Sequence, residues 1–235
     1  MKRILCYGDS NTWGYISGSD HLRYNSNERW PKLLQKKLGQ SFEIIEEGLN
    51  SRTLFSNDDR PGKEGRNGFT YLKPCMDSHD KFDIIIIMLG TNELKSTFNN
   101  TAEDIVNMID KYVNFIKNYK SQIDKTCPGI IISGLPIVQE DTAYSKKDNK
   151  YKGATQKSIQ LNNLLEKYCK DNLIPYINNG DLTVGIDGVH LTKESHISLA
   201  NRLSKVLTNN WLYKTNILLY LSKLRLHTSL SRIFT

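Results

Sequence analysis

The sequence of 235 residues has no segment typical of a secretory signal or a membrane span. Only about four apolar residues follow Lys2 and Arg3 before the chain meets turn-forming residues, whereas a signal peptide needs roughly 7–15. No stretch reaches the roughly 18 apolar residues of a membrane-spanning helix. These absences argue against a secreted or membrane-embedded protein. We expect a cytoplasmic protein whose mature chain starts at or near Met1.

Cysteine is also sparse, and its arrangement excludes the common cysteine-based sites. Cys6, Cys75, Cys127 and Cys169 form no Cys-x-x-Cys pair and have no histidines at zinc-ligand spacing. Glycine-rich phosphate loops, Walker patterns and clustered metal ligands are missing as well. We therefore expect four buried, reduced cysteines in a protein that needs no cofactor and no metal ion.

Acidic residues are absent from the end of the chain. Six basic residues and no Asp or Glu follow Glu194, so residues 195–235 carry +6 of the net charge of +7. The sequence has no internal repeat or low-complexity linker, and its 38% apolar and 24% charged residues are typical of one globular domain. We expect this domain to cover residues 1–211.

A basic, leucine-rich tail, residues 212–235, follows the expected domain. Three arrangements fit it: packing against the rest of the protein or another subunit, a poorly ordered end, or a basic amphipathic helix on an anionic membrane surface. Packing, including contact in a homo-oligomer, is favoured, and membrane contact is the least favoured. Nucleic-acid binding is not expected, because the basic residues are not interleaved with stacking aromatics.

Short apolar runs alternate with stretches of helical periodicity along the rest of the chain. Continuous apolarity, rather than strict alternation of apolar and polar residues, predicts strands that are buried on both faces and therefore parallel. The five runs are Ile4–Tyr7, Phe42–Ile45, Phe82–Leu89, Ile130–Leu135 and Leu173–Ile177.

Apolar residues at three- and four-residue spacing predict helices between these strands. Thr101 opens one helix with a capping-box sequence, and another helix is expected from about Glu28 to Leu38. Two later stretches, near residues 161–168 and 199–207, have the same periodicity. The alternation predicts an α/β protein, a three-layer α/β/α sandwich with a five-stranded parallel sheet and helices on both faces.

Glycines and polar residues follow the predicted strands, at the edge where the working groups of a parallel sheet lie. Ser10 follows the first strand, and a serine nucleophile needs a neighbouring base to take its proton. His190 is the one histidine of the five with a carboxylate, Asp187, three residues before it, a spacing that suits a Ser-His-Asp arrangement. The backbone N–H groups of Ser10 and Gly48 and the side-chain amide of Asn92 are candidates for binding an oxyanion.

Each of these residues also has an ordinary structural interpretation. The residues from Gly8 to Asn11 are common in turns, Gly48 suits a positive φ angle, and Asn92 suits a helix cap or a turn. It is the combination at the ends of successive strands that favours acyl-transfer chemistry, because four independent turns would rarely carry these residues in this order.

The motif blocks of the sequence resemble those of the SGNH hydrolases, also called the GDSL esterases and lipases. The blocks are Gly8-Asp9-Ser10, Gly48, Gly90-Thr91-Asn92-Glu93 and Asp187-Gly188-Val189-His190. Longer stretches resemble the bacterial arylesterase and acetylesterase branch, namely Thr12-Trp13-Gly14, Arg29-Trp30-Pro31, residues 46–53, residues 87–95, and Lys152-Gly153-Ala154 with Lys157-Ser158. The resemblance runs from the first strand to about Trp211.

This resemblance implies a flavodoxin-like fold and hydrolysis of a small-molecule ester through a covalent acyl-serine. Ser10 would be the nucleophile, His190 the base and Asp187 the group that orients the base. Ser10, Gly48 and Asn92 would form the oxyanion hole. The resemblance implies no cofactor.

Other residues near the strand ends are weaker candidates for substrate binding. Asn11 stands where the family usually has leucine, and with Asp9 it places a polar group beside the nucleophile. Arg52, Asp58 and Asp59 follow the second strand and are candidates for lining the substrate cleft. A solvated loop is at least as good an interpretation of these three residues.

The leading hypothesis is a serine esterase for small acyl esters, with acetyl esters of a sugar, alcohol or phenol favoured. The first alternative is a lysophospholipase or an acyl-CoA thioesterase with the same Ser-His-Asp residues. The second alternative is a binding module that keeps a hydrolase fold without catalysis. The presence of Ser10, Asp187 and His190 together argues against this second alternative.

Overall fold

Five parallel strands form a sheet in the order β2-β1-β3-β4-β5. The computed structural model describes residues 1–208, so the predicted tail at 212–235 lies outside the described residues. The strands are β1 (Lys2–Gly8), β2 (Phe42–Gly48), β3 (Ile84–Met88), β4 (Gly129–Ser133) and β5 (Tyr176–Ile177).

Seven α-helices connect or follow these strands in the described part of the chain. They are α1 (Ser10–Trp13), α2 (Trp30–Leu38), α3 (Gly68–Ser78), α4 (Ala102–Asn118), α5 (Ser145–Asp148), α6 (Ala154–Asp171) and α7 (residues 193–208). Short 3-10 helices lie at Gly39–Ser41, Asn92–Leu94 and Ser96–Phe98. Among residues 1–208, no helix has the length and apolar character needed to cross a membrane.

The strand order places helices on both faces of the sheet. Crossovers between parallel strands are right-handed. The connection from β1 to β2 runs across the sheet in one direction, and the later connections, from β2 onward to β5, run in the other. These two groups of connections therefore lie on opposite faces of the sheet. Helix α2 contacts α7 through a hydrogen bond from the backbone N–H of Trp30 to His196, and α4 packs against α6. The predicted three-layer α/β/α sandwich is confirmed, and its strand order is the flavodoxin-like one.

The continuous apolar runs form the core of the protein, as the sequence predicts. Ile4–Tyr7 and Ile85–Met88 are fully buried in the two central strands. Helix α4 begins with the predicted capping box, in which the Thr101 hydroxyl accepts from the N–H of Asp104 and the Asp104 carboxylate accepts from the N–H of Thr101. Burial of both strand faces and a capped helix therefore follow from local sequence signals.

The structure differs from the sequence-based expectations in three places. The last strand has two residues only, because Leu173 lies in a turn after α6 with a φ of 56° and is 92% exposed. The sequence patterns do not predict α3, which has Pro74 inside it, an unfavourable residue for a helix interior. Three of the four cysteines are buried, but Cys127 is exposed because it lies in the loop between α4 and β4.

Candidate active site

Ser10 lies at the turn between the first strand and the first helix. β1 ends at Gly8 and α1 begins at Ser10, so only Asp9 separates the two elements. Asp9 caps α1, because its carboxylate accepts a hydrogen bond of 2.9 Å from the N–H of Asn11. A Cβ atom at Gly8 would lie 1.9 Å from the hydroxyl oxygen of Thr12. Glycine at position 8 therefore permits the tight turn that presents Ser10 at the carboxyl edge of the sheet.

His190 and Asp187 approach Ser10 from the loop before α7. The Nε2 atom of His190 lies 2.9 Å from the Ser10 hydroxyl oxygen. Its Nδ1 atom lies 2.7 Å from a carboxylate oxygen of Asp187. The three side chains form a continuous hydrogen-bonded chain, with the histidine within proton-transfer distance of the serine.

The carboxylate of Asp187 is held by four hydrogen bonds. One oxygen accepts from the backbone N–H groups of Val189 and His190, both at 3.0 Å. The other accepts from the N–H of Gly18 at 3.1 Å and faces the His190 ring. Burial favours the neutral acid, but the hydrogen bonds and charge of His190 outweigh burial and hold the pKa of Asp187 well below its usual range. Asp187 is therefore ionised at neutral pH and can stabilise a protonated His190.

Asn11 connects the turn that carries the serine with the loop that carries the histidine. Its side-chain oxygen accepts from the N–H of Leu191 at 2.9 Å, and its side-chain nitrogen donates to the carbonyl of Val189 at 3.3 Å. The residue is 1% exposed and does not line the cleft. In the structure this amide therefore fixes the backbone on both sides of His190 relative to Ser10.

Two further contacts hold the histidine loop. The ring of Tyr15 stacks on the imidazole of His190, with ring centroids 4.4 Å apart and ring planes 28° apart. The hydroxyl of Ser145 donates to the backbone carbonyl of Asp187 at 2.7 Å. Sequence reasoning missed both residues, because they lie far from His190 in the chain and no local pattern links them to it.

A second wall of the cleft carries hydrogen-bond donors. Asn92 follows β3 and is 4% exposed, and its amide nitrogen donates to the backbone carbonyl of Arg52 at 3.0 Å. Since an amide nitrogen has two N–H groups, this bond orients the side chain and leaves the second N–H for another acceptor. Ser51, in the loop after β2, lines the same cleft with a positive φ of 65°. Its backbone N–H has no hydrogen-bond partner within residues 1–208.

Gly48 does not belong to this wall. It is the last residue of β2, pairs with Gly8 and does not line the cleft. A Cβ atom at Gly48 would lie 2.2 Å from the backbone nitrogen of Trp13, so glycine is needed for α1 to pack against β2. At this edge of the sheet the structure therefore places Ser51, rather than Gly48, in the lining of the cleft. The sequence gives only a weak signal for the conformation of Ser51, because glycine is the residue that usually adopts a positive φ and here a serine adopts it.

The remaining candidates for substrate binding lie away from the cleft wall. Asp9 is completely buried, and burial raises its pKa to about 6 despite the opposing hydrogen bond from the backbone. Arg52 is 2% exposed, and its guanidinium donates to backbone carbonyls near the ends of β1 and β2. Asp58 and Asp59 border a neighbouring depression, which shares Arg60 and Lys63 with the lining of the cleft. None of these four residues lines the cleft, and Asp9 and Arg52 support the loops around Ser10.

The cleft between the two walls has a volume of about 230 Å³. One group of lining residues, Ser10, Asp187 and His190, comes from the turn after β1 and the loop before α7, and another, Asn50, Ser51 and Asn92, follows β2 and β3. The remaining lining residues are mostly aromatic or charged: Tyr15, Tyr144, Tyr151, Arg60, Lys63, Lys95, Asp148 and Lys150. The arrangement can hold a small polar molecule against an activated serine.

Glu47, Cys75 and His79 form a separate group outside the cleft, with their possible metal-ligand atoms within 4.8 Å of one another. The sequence spacing does not indicate this group, because Glu47 lies on β2 and the other two lie at α3 and its end. Burial raises the pKa of the Cys75 thiol to about 12, and the Arg52 guanidinium lies 3.7 Å from the Glu47 carboxylate. Both features oppose metal binding, which needs a thiolate and an available carboxylate. The group fits a structural contact between β2 and α3 better.

A serine in contact with a histidine-carboxylate pair, facing free N–H donors at the carboxyl edge of a parallel sheet, is the site of a serine hydrolase. The family model of the GDSL-like lipases and acylhydrolases matches residues 4–203. The chain therefore belongs to the GDSL-like lipase/acylhydrolase family, which confirms the resemblance of the sequence blocks. No curated protein has a matching sequence.

Solved structures of bacterial esterases are similar to nearly the whole of this chain. A carbohydrate acetylesterase from Sinorhizobium meliloti is 32% identical with a TM-score of 0.82, and the match covers 89% of this chain and 99% of that chain. The aryl esterase of M. smegmatis is 30% identical with a TM-score of 0.81 and the same coverage. A lipase/acylhydrolase from Enterococcus faecalis, at 15% identity and a TM-score of 0.64 over 89% of this chain and 97% of that chain, shares the fold. The protein is a carboxylic ester hydrolase, a serine esterase that acts on acyl esters.

Proposed function

We propose that the protein hydrolyses small acyl esters and prefers acetyl esters of a sugar, an alcohol or a phenol. The observation that carries the proposal is the hydrogen bond between Ser10 and His190 in a cleft of only about 230 Å³. Pockets for drug-sized ligands usually have about 300–1,000 Å³, so this cleft suits a short acyl group better than a long chain. The names of the similar carbohydrate acetylesterase and aryl esterase support the same class of substrate.

Ser10, His190 and Asp187 act together in the proposed reaction. The Ser10 oxygen attacks the carbonyl carbon of the ester while Nε2 of His190 takes the hydroxyl proton. The protonated ring gives that proton to the leaving alcohol oxygen, and an acyl-serine remains. Water then attacks the acyl-serine with His190 again as the base, which releases the carboxylic acid and restores Ser10. Asp187 keeps the ring in the required tautomer and stabilises its positive charge.

Three N–H groups stabilise the negative charge that develops on the carbonyl oxygen. They are the backbone N–H groups of Ser10 and Ser51 and the free side-chain N–H of Asn92. Their positions support the assignment, because the three residues follow β1, β2 and β3 and line one cleft. Donors that are carried by three neighbouring strands need little rearrangement when the charge appears.

Covalent labelling tests the nucleophile and the enzyme activity together. A fluorophosphonate probe should react with Ser10 of the wild-type protein, and peptide mass spectrometry should locate the adduct there. Ser10→Ala is the matched control and should not be labelled. An adduct on another serine would contradict the proposed mechanism.

The alternative functions differ in their preference for acyl-chain length. A series of p-nitrophenyl esters from acetate to laurate should give the highest kcat/KM with acetate. A maximum at the long chains would favour a lysophospholipase or an acyl thioesterase. A binding module without catalysis would hydrolyse no member of the series in a way that depends on Ser10.

We also propose that residues 1–211 contain the whole catalytic domain and that the tail, residues 212–235, is a separate contact segment. In support, every residue assigned to the reaction precedes residue 191, and α7 buries Leu199 and Leu203. Truncation after Trp211 should leave ester hydrolysis within a few-fold of wild type and change the sedimentation mass or the retention on anionic vesicles. A truncated protein that folds without activity would contradict the boundary.

The cytoplasmic location stays a prediction.

A further inference from the structure

The catalytic cleft has more positive charge than its own carboxylates neutralise. Four cationic side chains line it, Arg60, Lys63, Lys95 and Lys150, together with two carboxylates, Asp148 and Asp187. Asp187 is bonded to His190, and Asp148 lies 2.5 Å from Lys150. Lys63 and Lys95 therefore have no carboxylate of the cleft lining bound to them.

Lys95 is buried at the cleft, and its ammonium group makes no hydrogen bond to any of residues 1–208. The residue is 5% exposed, and the nearest carboxylate oxygen in the described part of the chain belongs to Asp58, at 3.8 Å. Asp58 already accepts two hydrogen bonds from the guanidinium of Arg60. An ammonium group has three N–H donors, and since Lys95 lines the cleft they are open to an acceptor that enters it. The structure therefore presents strong donors for an acceptor that residues 1–208 do not supply.

The loops around Lys95 fix its position relative to the reacting groups. The backbone N–H of Lys95 donates to the carbonyl of Asn92, the residue that carries a proposed oxyanion donor. The backbone N–H of Ser96 donates to the carbonyl of Lys150 at 2.8 Å, which joins the loop after β3 to the loop before α6. These bonds fix the backbone of Lys95 relative to Asn92, next to the place where the ester carbonyl would lie.

We propose that Lys95, assisted by Arg60 and Lys63, binds a carboxylate or phosphate group on the alcohol part of the substrate. The inference rests on the proposed ester hydrolysis and deepens it, since it assigns a class of substrate: an ester with a small acyl group and an anionic alcohol. An anionic oxygen would supply the acceptor that Lys95 lacks, and charge-assisted hydrogen bonds of this type are stronger than neutral ones. Neither aspartate near these cations accepts a hydrogen bond from Lys95, because Asp58 is bonded to Arg60 and lies 3.8 Å from the ammonium nitrogen, and Asp148 is bonded to Lys150.

Pairs of acetyl esters that differ in charge test this assignment. The isomers 3- and 4-acetoxybenzoate carry a carboxylate on the leaving group, and their methyl esters are the neutral counterparts. For phosphate, 4-acetoxyphenyl phosphate is compared with 4-methoxyphenyl acetate. The measured quantity is the charge ratio, defined as kcat/KM of the anionic ester divided by kcat/KM of its neutral counterpart. Comparing the charge ratio between variants removes differences in leaving-group reactivity and in the amount of folded enzyme.

The variants should lower the charge ratio in proportion to burial. Lys95→Met should lower it about tenfold or more, because a charge-assisted hydrogen bond in a buried site is lost. Lys63→Gln should lower it less, since that side chain is partly exposed. Lys36→Met, at an exposed position on α2 outside the cleft, is the matched control and should leave it unchanged. A lower charge ratio of Lys95→Met with the benzoates would identify a carboxylate as the bound group, and a lower charge ratio with the phosphate would identify a phosphate. Equal charge ratios in wild type and Lys95→Met for every pair would overturn the proposal.

The wild-type enzyme gives an independent result that also applies if Lys95→Met does not fold. Burial and the positive charges of Arg60 and Lys150 lower the pKa of Lys95 to about 8, against the opposing effect of Asp58 and Glu93. The charge ratio should therefore fall as pH rises through about 8, because Lys95 loses its charge. Titration of the catalytic residues affects both esters of a pair and cancels. A charge ratio that stays constant across this range of pH would contradict the proposal.

Failure of this inference can be distinguished from failure of the proposed function. If the neutral acetyl esters are hydrolysed and Ser10→Ala abolishes the hydrolysis, the proposed function stands whatever the charge ratio shows. If no ester of any pair is hydrolysed in a way that depends on Ser10, the proposed function is wrong and the inference falls with it.

Discussion

The two walls of the cleft differ in how many of their hydrogen bonds are already made. We call the side with Ser10, Asp187 and His190 the histidine wall, and its reacting atoms bond to one another and to backbone groups. The side with Ser51 and Asn92 is the donor wall. There, the backbone N–H of Ser51 and one amide N–H of Asn92 have no partner in the described residues.

This difference follows from what each wall must do in acyl transfer. A proton moves along the histidine wall, so the hydrogen bonds that guide it must exist before the ester arrives. In the proposed reaction the donor wall meets a charge that exists only while the reaction proceeds, so its N–H groups must be oriented but unoccupied. A donor that was already bonded would have to exchange one acceptor for another. The bond from Asn92 to the carbonyl of Arg52 orients the side chain without using its second N–H.

Breaking the histidine wall should have the largest effect. Ser10→Ala removes the oxygen on which the acyl-enzyme forms, and it should lower kcat by roughly 10⁴-fold or more. His190→Ala should cost about as much, because the two residues act as a unit. Steady-state kinetics with an acetyl ester measures both losses, and circular dichroism checks the fold. The mechanism would be wrong if Ser10→Ala kept as much as a tenth of the activity.

Removing a donor from the opposite wall should have the next largest effect. Asn92→Ala should lower kcat by roughly 10²–10³-fold with little change in KM, because the oxyanion forms after the substrate binds. Asn92→Asp is a control of the same size, and its negative charge should be at least as damaging. A capping role would give another pattern, in which stability falls by about 1 kcal/mol and kcat stays near wild type.

More of the histidine wall than of the donor wall could be predicted from the sequence. Apolar runs identify the buried strands, and the residues that follow them identify Ser10 and Asn92. The close spacing of Asp187 and His190 in the chain singles out one histidine. These are local patterns of residue type, and such patterns can be recognised in a single sequence.

The remaining features depend on conformation or on contacts between distant parts of the chain. Ser51 lies in the donor wall with a positive φ, and serine as a residue type does not predict that conformation. Asn11 contacts the backbone about 180 residues later, so a polar residue beside the nucleophile suggests a substrate contact until the fold is known. Helix α3 contains Pro74, an unfavourable residue for a helix interior, which explains why the patterns do not indicate it.

The connection between the turn after β1 and the histidine loop can be broken at Asn11. Asn11→Leu removes the hydrogen bonds to the backbone of Val189 and Leu191 and should let His190 shift relative to Ser10. A displacement of a catalytic group by about 1 Å can cost on the order of 10²-fold, so we expect kcat to fall roughly 10- to 100-fold. Kinetics and thermal melting on the same variant check this, since a purely structural role would lower the melting temperature and leave kcat unchanged.

A buried histidine behind the histidine wall should make stability sensitive to acid. Burial, with a smaller effect of His190, lowers the pKa of His196 to about 3. The unfolded chain takes up this proton near pH 6.5, so it binds more protons than the folded protein between about pH 3 and 6.5. The free energy of unfolding should therefore fall as pH falls below about 6.5, by up to about 1.4 kcal/mol per pH unit.

Urea denaturation of wild type and His196→Gln at several pH values measures this contribution. The variant should be less stable at neutral pH, because it disturbs a buried site that accepts a hydrogen bond from Trp30. Its stability should nevertheless fall less steeply than that of the wild type as the solution is acidified. Parallel curves for the two proteins would show that His196 is not responsible for the acid sensitivity.

The smallest effect is expected at Ser51, where the donor is a backbone group. Ser51→Ala keeps the backbone N–H and should leave kcat/KM close to wild type, in contrast to Asn92→Ala. Ser51→Gly should also leave the stability of the protein nearly unchanged. Relief of the backbone strain at the positive φ is offset by the greater freedom of glycine in the unfolded chain, and each effect is about 1 kcal/mol. Kinetics and melting curves of both variants provide the measurement. A loss of kcat in Ser51→Ala as large as that of Asn92→Ala would show that the Ser51 hydroxyl is the donor, and the donor wall would then consist of side chains rather than of one side chain and the backbone.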